Sequence, residues 1–458
     1  MFTTKARCLV PKLHRQFVLS RKIQSRNYYH LAPAEKSHLI LPNTNMTKQY
    51  LDLPVAPADL AFGLMAEFDA DPHPSKVSLI AGAYRDENGL PWILPSVNEA
   101  KACLEKNSNH EYLGIAGSPE FIKLAQSLIF GETSETIKEH IASIQTVSGT
   151  GANHMAALFL AKHLRPQRVF IPSPTWVNHQ SIWTMAGVPH EEYPYYSSET
   201  RTVKLEGMLA ALEQKAQPND VVILQACAHN PTGVDLFKSQ WAEVARVIKR
   251  KNLFVVFDSA YQGFATGDVD GDAWAVRYFV EQLILTAESD STHPGLCIAQ
   301  SFSKNFGLYG ERVGALHLVV PRHLSPQGAQ SELMSIARSE YSNPPRFGAS
   351  IVQTVLGSPR LRDQWQADLN TMSARIMVMR RALRQRLEEL GAPGNWSHIE
   401  SQIGMFSYTG LTREHVQRLR NEFHIYLLLS GRVSICGLNE GNVDYVARAI
   451  REVVRTTM

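Results

Sequence analysis

Cysteine is scarce: Cys8, Cys103, Cys227, Cys297 and Cys436 are scattered through 458 residues, with no Cys-x-x-Cys pair. This argues against a disulfide framework or a cysteine-based zinc site, and fits a reducing compartment. Long apolar runs are missing too. A long mid-chain stretch free of Lys, Arg, Asp and Glu, Ile141 to Ala161, is broken by Gln145, Ser148, Gly149, Thr150, Asn153 and His154. That excludes a membrane span. Acidic residues are absent before Glu35, whereas Lys5, Arg7, Lys12, Arg15, Arg21, Lys22 and Arg26 all fall there. A basic, serine-containing, acid-free start has the composition of a mitochondrial transit peptide, with Arg26-Asn27-Tyr28 as the processing region. Residues 1–34 are therefore expected to be a targeting extension that directs the protein to the matrix. The alternatives are a solvated basic tail, or translation from Met46 and a cytoplasmic protein. The remainder has no basic excess, so neither nucleic acid nor membrane is an expected partner.

What is present is a folded chain: 44% hydrophobic and 19% charged residues, with length for two or three domains. Three apolar runs end in polar turns. Val221–Leu224 leads to Asn230-Pro231-Thr232-Gly233, Phe254–Phe257 to Asp258, and Leu296–Ala299 to the neighbourhood of Lys304. Such runs suit buried strands of a parallel sheet. Helical patterns such as Ser239–Lys251 lie between them, giving an α/β reading in which ligands gather at strand carboxyl ends. A long amphipathic helix is expected from about Leu361, followed by strand-like pieces at Ile403–Tyr408, Ile425–Leu429 and Val433–Cys436.

Individually, the polar residues at these ends leave alternatives open. Ser148-Gly149-Thr150-Gly151-Ala152 precedes a helical run from Met155 to Leu164. It is either an anion site at a helix start or a tight turn, and lacks the glycine and lysine of dinucleotide or Walker fingerprints. Asp258 is a cap or a catalytic carboxylate. Lys304 is a solvated charge or an imine-forming amine.

Taken together, the motifs are more specific. Ala83-Tyr84-Arg85-Asp86-Glu87-Asn88-Gly89, His110-Glu111-Tyr112-Leu113, Ser148-Gly149-Thr150-Gly151 and Pro174-Thr175-Trp176-Val177-Asn178-His179 come first. Ala226 to Gly233, Asp258 to Phe264, Ser301 to Gly307, Ser342-Asn343-Pro344-Pro345 and Ser430-Gly431-Arg432 follow in order. From about Pro57 onward the chain resembles the aspartate aminotransferase family, class I and fold type I, which uses pyridoxal 5′-phosphate. The resemblance implies an α/β fold: a large domain (93–371) with a mostly parallel sheet flanked by helices, a smaller α/β domain (59–92 and 372–458), and an N-terminal arm (47–58).

It also implies roles. Lys304 corresponds to the lysine that holds the cofactor as an imine and moves the substrate proton. Asp258 corresponds to the carboxylate that pairs with the ring nitrogen, with His179 orienting it. Trp176 stacks on the ring, and Asn230 and Tyr261 hydrogen-bond its phenolic oxygen. Ser148, Gly149, Thr150, Ser301 and Arg312 hold the phosphate, which Tyr112 reaches from the neighbouring subunit of a homodimer with shared sites. Arg432 takes the α-carboxylate beside Gly82, with Trp176 and Asn230 also facing substrate, and Arg338 takes the distal carboxylate across the dimer. No metal is implied. The implied reaction passes the amino group of L-aspartate to 2-oxoglutarate, yielding oxaloacetate and L-glutamate by a ping-pong route through pyridoxamine phosphate. The alternatives are an aminotransferase for aromatic or pathway-specific substrates, a lyase on the same fold, and an idle paralogue acting as a binding partner. The pattern departs from the family's usual residues at Gln225, Leu236-Phe237-Lys238, Gly114, Ile80-Ala81 and Arg346.

Overall fold

The computed structural model describes residues 59–455, except 81, 106–108, 132 and 288–291, together with Leu53 and Val55. The expected targeting extension, Met46 and nearly all of the arm lie outside the described residues. Eleven strands occur among those described: β1 Val77–Ser78, β2 Ile141–Val147, β3 Val169–Ser173, β4 His190–Pro194, β5 Val221–Gln225, β6 Phe254–Ser259, β7 Leu296–Ser301, β8 Val313–Val319, β9 Phe406–Tyr408, β10 Ile425–Tyr426 and β11 Arg432–Ser434. Seven form one sheet in the order β2-β8-β7-β6-β5-β3-β4. Only β8 runs against its neighbours.

The alternation of side chains along each strand makes two cores. Val222, Leu224, Val255, Phe257 and Ile298 face one way, onto Trp241, Val244, Ile248 and Phe279. Val221, Ile223, Phe254, Val256 and Cys297 face the other, onto Met155, Ala156, Leu160 and Trp183. Both faces are covered, which is why these strands read as continuous apolar runs rather than alternating ones. The register then fixes the site: Gln225 on β5 lies opposite Asp258 on β6, which lies opposite Ala299 on β7.

A third core gathers the chain's end around helix Pro359–Glu389, 31 residues and about 46 Å long. Ser358 accepts from the Leu361 N–H at its start and Pro359 takes the first turn. Helix Val443–Arg455 packs on it through Val443, Val446, Ala447, Ile450 and Val453, one apolar stripe. The late strands are shorter than their apolar runs suggest. Only Phe406–Tyr408 pairs with Arg432–Ser434, and Ile425–Tyr426 with Val77–Ser78, because pairing partners end there. Ile435–Gly437 turns instead into a 3₁₀ helix.

Candidate active site

Asp258 sits near the end of β6 and is 7% exposed. Both of its oxygens have partners. His179 Nε2 lies 3.2 Å from Oδ2, and Asn153 Nδ2 lies 3.5 Å from Oδ1. The Thr175 hydroxyl lies 2.8 Å from His179 Nδ1. A ring protonated at Nε2 satisfies both contacts, donating to the carboxylate and accepting from Thr175. Trp176 meets this imidazole edge-on, with centroids 5.3 Å apart. Asn153 also donates to Gly149 O at 3.0 Å, tying the carboxylate to the start of helix Ser148–His163.

That helix begins at Ser148, well before the apolar run that marks it in the sequence. Its first residues, Ser-Gly-Thr-Gly, are poor helix formers, and tertiary contacts hold them. Ser148 has φ +64° and its N–H donates to Arg312 O at 3.1 Å, while Arg312 has φ +55°. The Ser148 and Ser303 hydroxyls are 3.1 Å apart. A Cβ on Gly149 would fall 2.8 Å from Ser301 Cβ, so only glycine fits between the helix and β7. Arg312 is anchored through Nη1 to Tyr309 O at 2.8 Å. A helix N-terminus, hydroxyls and a guanidinium at one point make a site for a dianion.

Lys304 follows β7, its Nζ 5.2 Å from the centroid of Tyr261. Burial pushes its ammonium below the usual lysine value; Asp258 opposes that shift and Arg312 adds to it. Tyr261 is buried and its hydroxyl is held above the ordinary phenol value, mainly by that burial. Ser148, Gly149, Thr150, Trp176, Asn230, Asp258, Tyr261, Ser301, Lys304 and Arg312 line one cavity. Anion cradle, amine, carboxylate and aromatic wall together fit pyridoxal 5′-phosphate.

Arg432 opens β11 beside this cavity. Burial lowers its guanidinium to about 10. Nη2 donates to Ile80 O at 2.9 Å, Nη1 lies 3.5 Å from Asn230 Oδ1, and the group stacks 4.0 Å over the Phe406 ring. Its buried Nε has no partner, so a desolvated donor remains for an anion. Gly82 is close by: a Cβ there would meet Phe406 at 3.4 Å. Tyr112 and Arg338 do not line this cavity. Tyr112 is 81% exposed, and Arg338 is exposed with Nη1 donating to Ser342 Oγ.

The structure adds residues that the sequence reading passed over. Asn153, Ser303, Phe406, Tyr309 and Ala260 each touch the cavity or its immediate partners. Ser303 and Ala260 lie inside motifs already singled out, and Tyr309 lies just past one. Asn153 has helical spacing from Gly149, a usable signal. Gln225, noted only as a departure, grips the Asn230 peptide twice: Asn230 N–H to Oε1 at 2.8 Å, and Nε2 to Asn230 O at 3.0 Å.

The family model for aminotransferase class I and II matches residues 74–450. The cytoplasmic aspartate aminotransferase of Saccharomyces cerevisiae is 47% identical over 411 residues, 88% of this chain and 96% of that protein. An L-tyrosine:2-oxoglutarate aminotransferase of Aspergillus ustus is 47% identical over 409 residues, 86% of this chain and 76% of that one. The mitochondrial aspartate aminotransferase of Arabidopsis thaliana is 42% identical over 414 residues, 90% and 94% of the two chains. A solved structure of the aspartate aminotransferase from the cytoplasm of Saccharomyces cerevisiae superposes with a TM-score of 0.86 at 46% identity, covering 90% of this chain and 100% of that one. With the fold, the cavity and these likenesses in agreement, the chain belongs to the class I and II aminotransferases, enzymes that work with pyridoxal 5′-phosphate.

Proposed function

We propose that the chain is an aspartate aminotransferase acting as a homodimer, passing the amino group of L-aspartate to 2-oxoglutarate. The observation that carries this is the pairing of the Lys304–Asp258 cavity with a half-buried arginine, Arg432, whose buried Nε has no partner. Ser148, Gly149, Thr150, Ser301 and Arg312 hold the cofactor's phosphate, Trp176 covers its ring, and Asp258 meets the ring nitrogen. Asn230 and Tyr261 donate to the phenolic oxygen. When bound, the cofactor supplies a sink for the electrons left as the substrate's Cα–H bond breaks. Lys304 Nζ takes that proton, and its burial keeps more of it in the free-base form at a given pH. His179 and Asn153 keep the Asp258 carboxylate in place throughout. Arg432 grips the α-carboxylate beside the Gly82 backbone. Tyr112 and Arg338 serve the neighbouring subunit's site, on phosphate and distal carboxylate respectively; their exposure on their own chain supports this.

In this reading residues 59–92 and 372–458 form a small domain against a large one at 93–371. Residues 1–34 address the protein to the mitochondrial matrix, with a cytoplasmic product if translation starts at Met46; relatives of both locations support either. A second reading, an aromatic aminotransferase, is favoured by one fact: the Aspergillus ustus tyrosine enzyme is as similar as the yeast aspartate enzyme. A screen of amino donors against 2-oxoglutarate, with the cofactor spectrum recorded, separates them. Aspartate should give the highest kcat/KM. Tyrosine or phenylalanine ahead of aspartate would replace the first reading with the second.

A further inference from the structure

We propose that Arg346 is a positioning residue for the neighbouring subunit's site. It fixes the backbone from which Tyr112 projects, using the same turn that anchors Arg338. The proposal rests on the dimer reading above and gives Arg346 a task within it.

Segment 109–114 is neither helix nor strand, yet it presents an 81% exposed tyrosine. An irregular exposed segment keeps one shape only if something claims its backbone. Here three successive carbonyls are claimed from one place. Arg346 Nε donates to Glu111 O at 2.9 Å, Arg346 Nη2 to Tyr112 O at 3.3 Å, and Asn343 Nδ2 to Leu113 O at 2.7 Å. The planar guanidinium spans two adjacent carbonyls, which the single ammonium of a lysine does not. The next residue closes a turn, its carbonyl accepting from the Gly117 N–H at 2.9 Å. Gly114 has no left-handed φ, and a Cβ on it would meet only Gly117 O at 3.9 Å. No left-handed conformation there requires glycine, and the restraint at this position comes from that backbone bond.

The turn is itself mounted on the sheet, since Gln145 of β2 donates to Pro345 O at 2.7 Å. Its other end takes Arg338: the guanidinium donates to Ser342 Oγ, and that hydroxyl lies 3.1 Å from Asn343 Oδ1. One turn, 342–346, therefore holds both residues that the dimer reading sends across the interface. Releasing Arg346 should free Tyr112 and leave the neighbour's cofactor with a weaker phosphate contact.

The test uses the full-length holoenzyme and its Arg346→Ala, Arg346→Lys, Tyr112→Phe and Arg346→Ala/Tyr112→Phe variants. The readouts are cofactor loss after dilution, hydrogen exchange of 109–118, and mass in solution. Arg346→Ala should speed cofactor loss about tenfold, the usual scale for a lost charged hydrogen bond, and raise exchange around Gly117. Arg346→Lys should fall between, and remains informative if the alanine variant does not fold. Adding Arg346→Ala to Tyr112→Phe should change little, because both act through one hydroxyl. A dimeric Arg346→Ala that keeps its cofactor like the parent, or a full extra loss on top of Tyr112→Phe, overturns the Arg346 assignment alone. A monomeric parent enzyme overturns the dimer reading and this inference with it.

Discussion

Burial and two neighbours set the behaviour of Lys304, and they do not agree in sign. Burial and Arg312 disfavour the ammonium, while Asp258 favours it. The net effect is downward, so cofactor uptake by the apoprotein should rise with pH to a midpoint below 10.5, the ordinary lysine value. Asp258→Asn removes the one group that raises this value and should move the midpoint further down. Absorbance-monitored uptake at a series of pH values gives the answer; a midpoint at 10.5 in the parent would mark Lys304 as an ordinary solvated amine. Gly149 makes a sharper steric case. Gly149→Ala would put a methyl 2.8 Å from Ser301 Cβ, and one of the two must shift. Either shift opens the phosphate cradle, and a tenfold or greater rise in cofactor Kd is expected by equilibrium titration. Unchanged affinity would mean the cradle is not where the phosphate sits.

Among the elements, β8 is the telling one, because it carries a polar line through the sheet. His317 Nδ1 lies 2.8 Å from Ser143 Oγ on β2, and its Nε2 lies 3.0 Å from Gln300 Oε1 on β7. Burial lowers this imidazole to about 3, against an ordinary 6.5. The native state therefore refuses a proton that the unfolded chain accepts. His317 favours folding above pH 6.5, and its contribution is lost progressively as pH falls from 6.5 toward 3. His317→Gln should flatten the acid side of the stability profile by up to about 1.4 kcal/mol per pH unit, as measured by urea unfolding of the apoprotein at pH 7 and pH 5. An unaltered slope would place the proton uptake elsewhere. Elements differed in how far they could be read in advance. Strands β5, β6 and β7 were legible because burial on both faces leaves an unbroken apolar run bounded by polar turns. The start of helix Ser148–His163 was not, because Ser-Gly-Thr-Gly reads as a loop until Arg312, Ser303 and Ser301 are brought against it. β9, β10 and β11 were overextended for the opposite reason: apolar character continues where pairing stops.

At the scale of the whole molecule, the site divides between what one chain assembles and what it does not. Lys304, Asp258, Trp176, Asn230, Tyr261, Arg312 and the Ser148 cradle meet in one cavity, each foreseeable from a motif with a chemical reason for its residue types. Asn153 and Ser303 were harder to see, since their contribution is to hold other side chains. Tyr112 and Arg338 stand apart from that cavity, and their proposed task requires a second copy. Mixing Lys304→Ala with Arg338→Ala subunits addresses the sharing directly. If Arg338 crosses the interface, a mixed dimer carries both lesions in one site and none in the other, and activity should reappear. The most direct measurement is kcat/KM of Arg338→Ala for aspartate and for alanine beside the parent enzyme. An unpaired distal carboxylate in a closed site forfeits roughly 2–5 kcal/mol, or about 30- to several-thousand-fold. That loss is expected for aspartate and almost none for alanine; equal losses for both would contradict an Arg338 that binds the distal carboxylate.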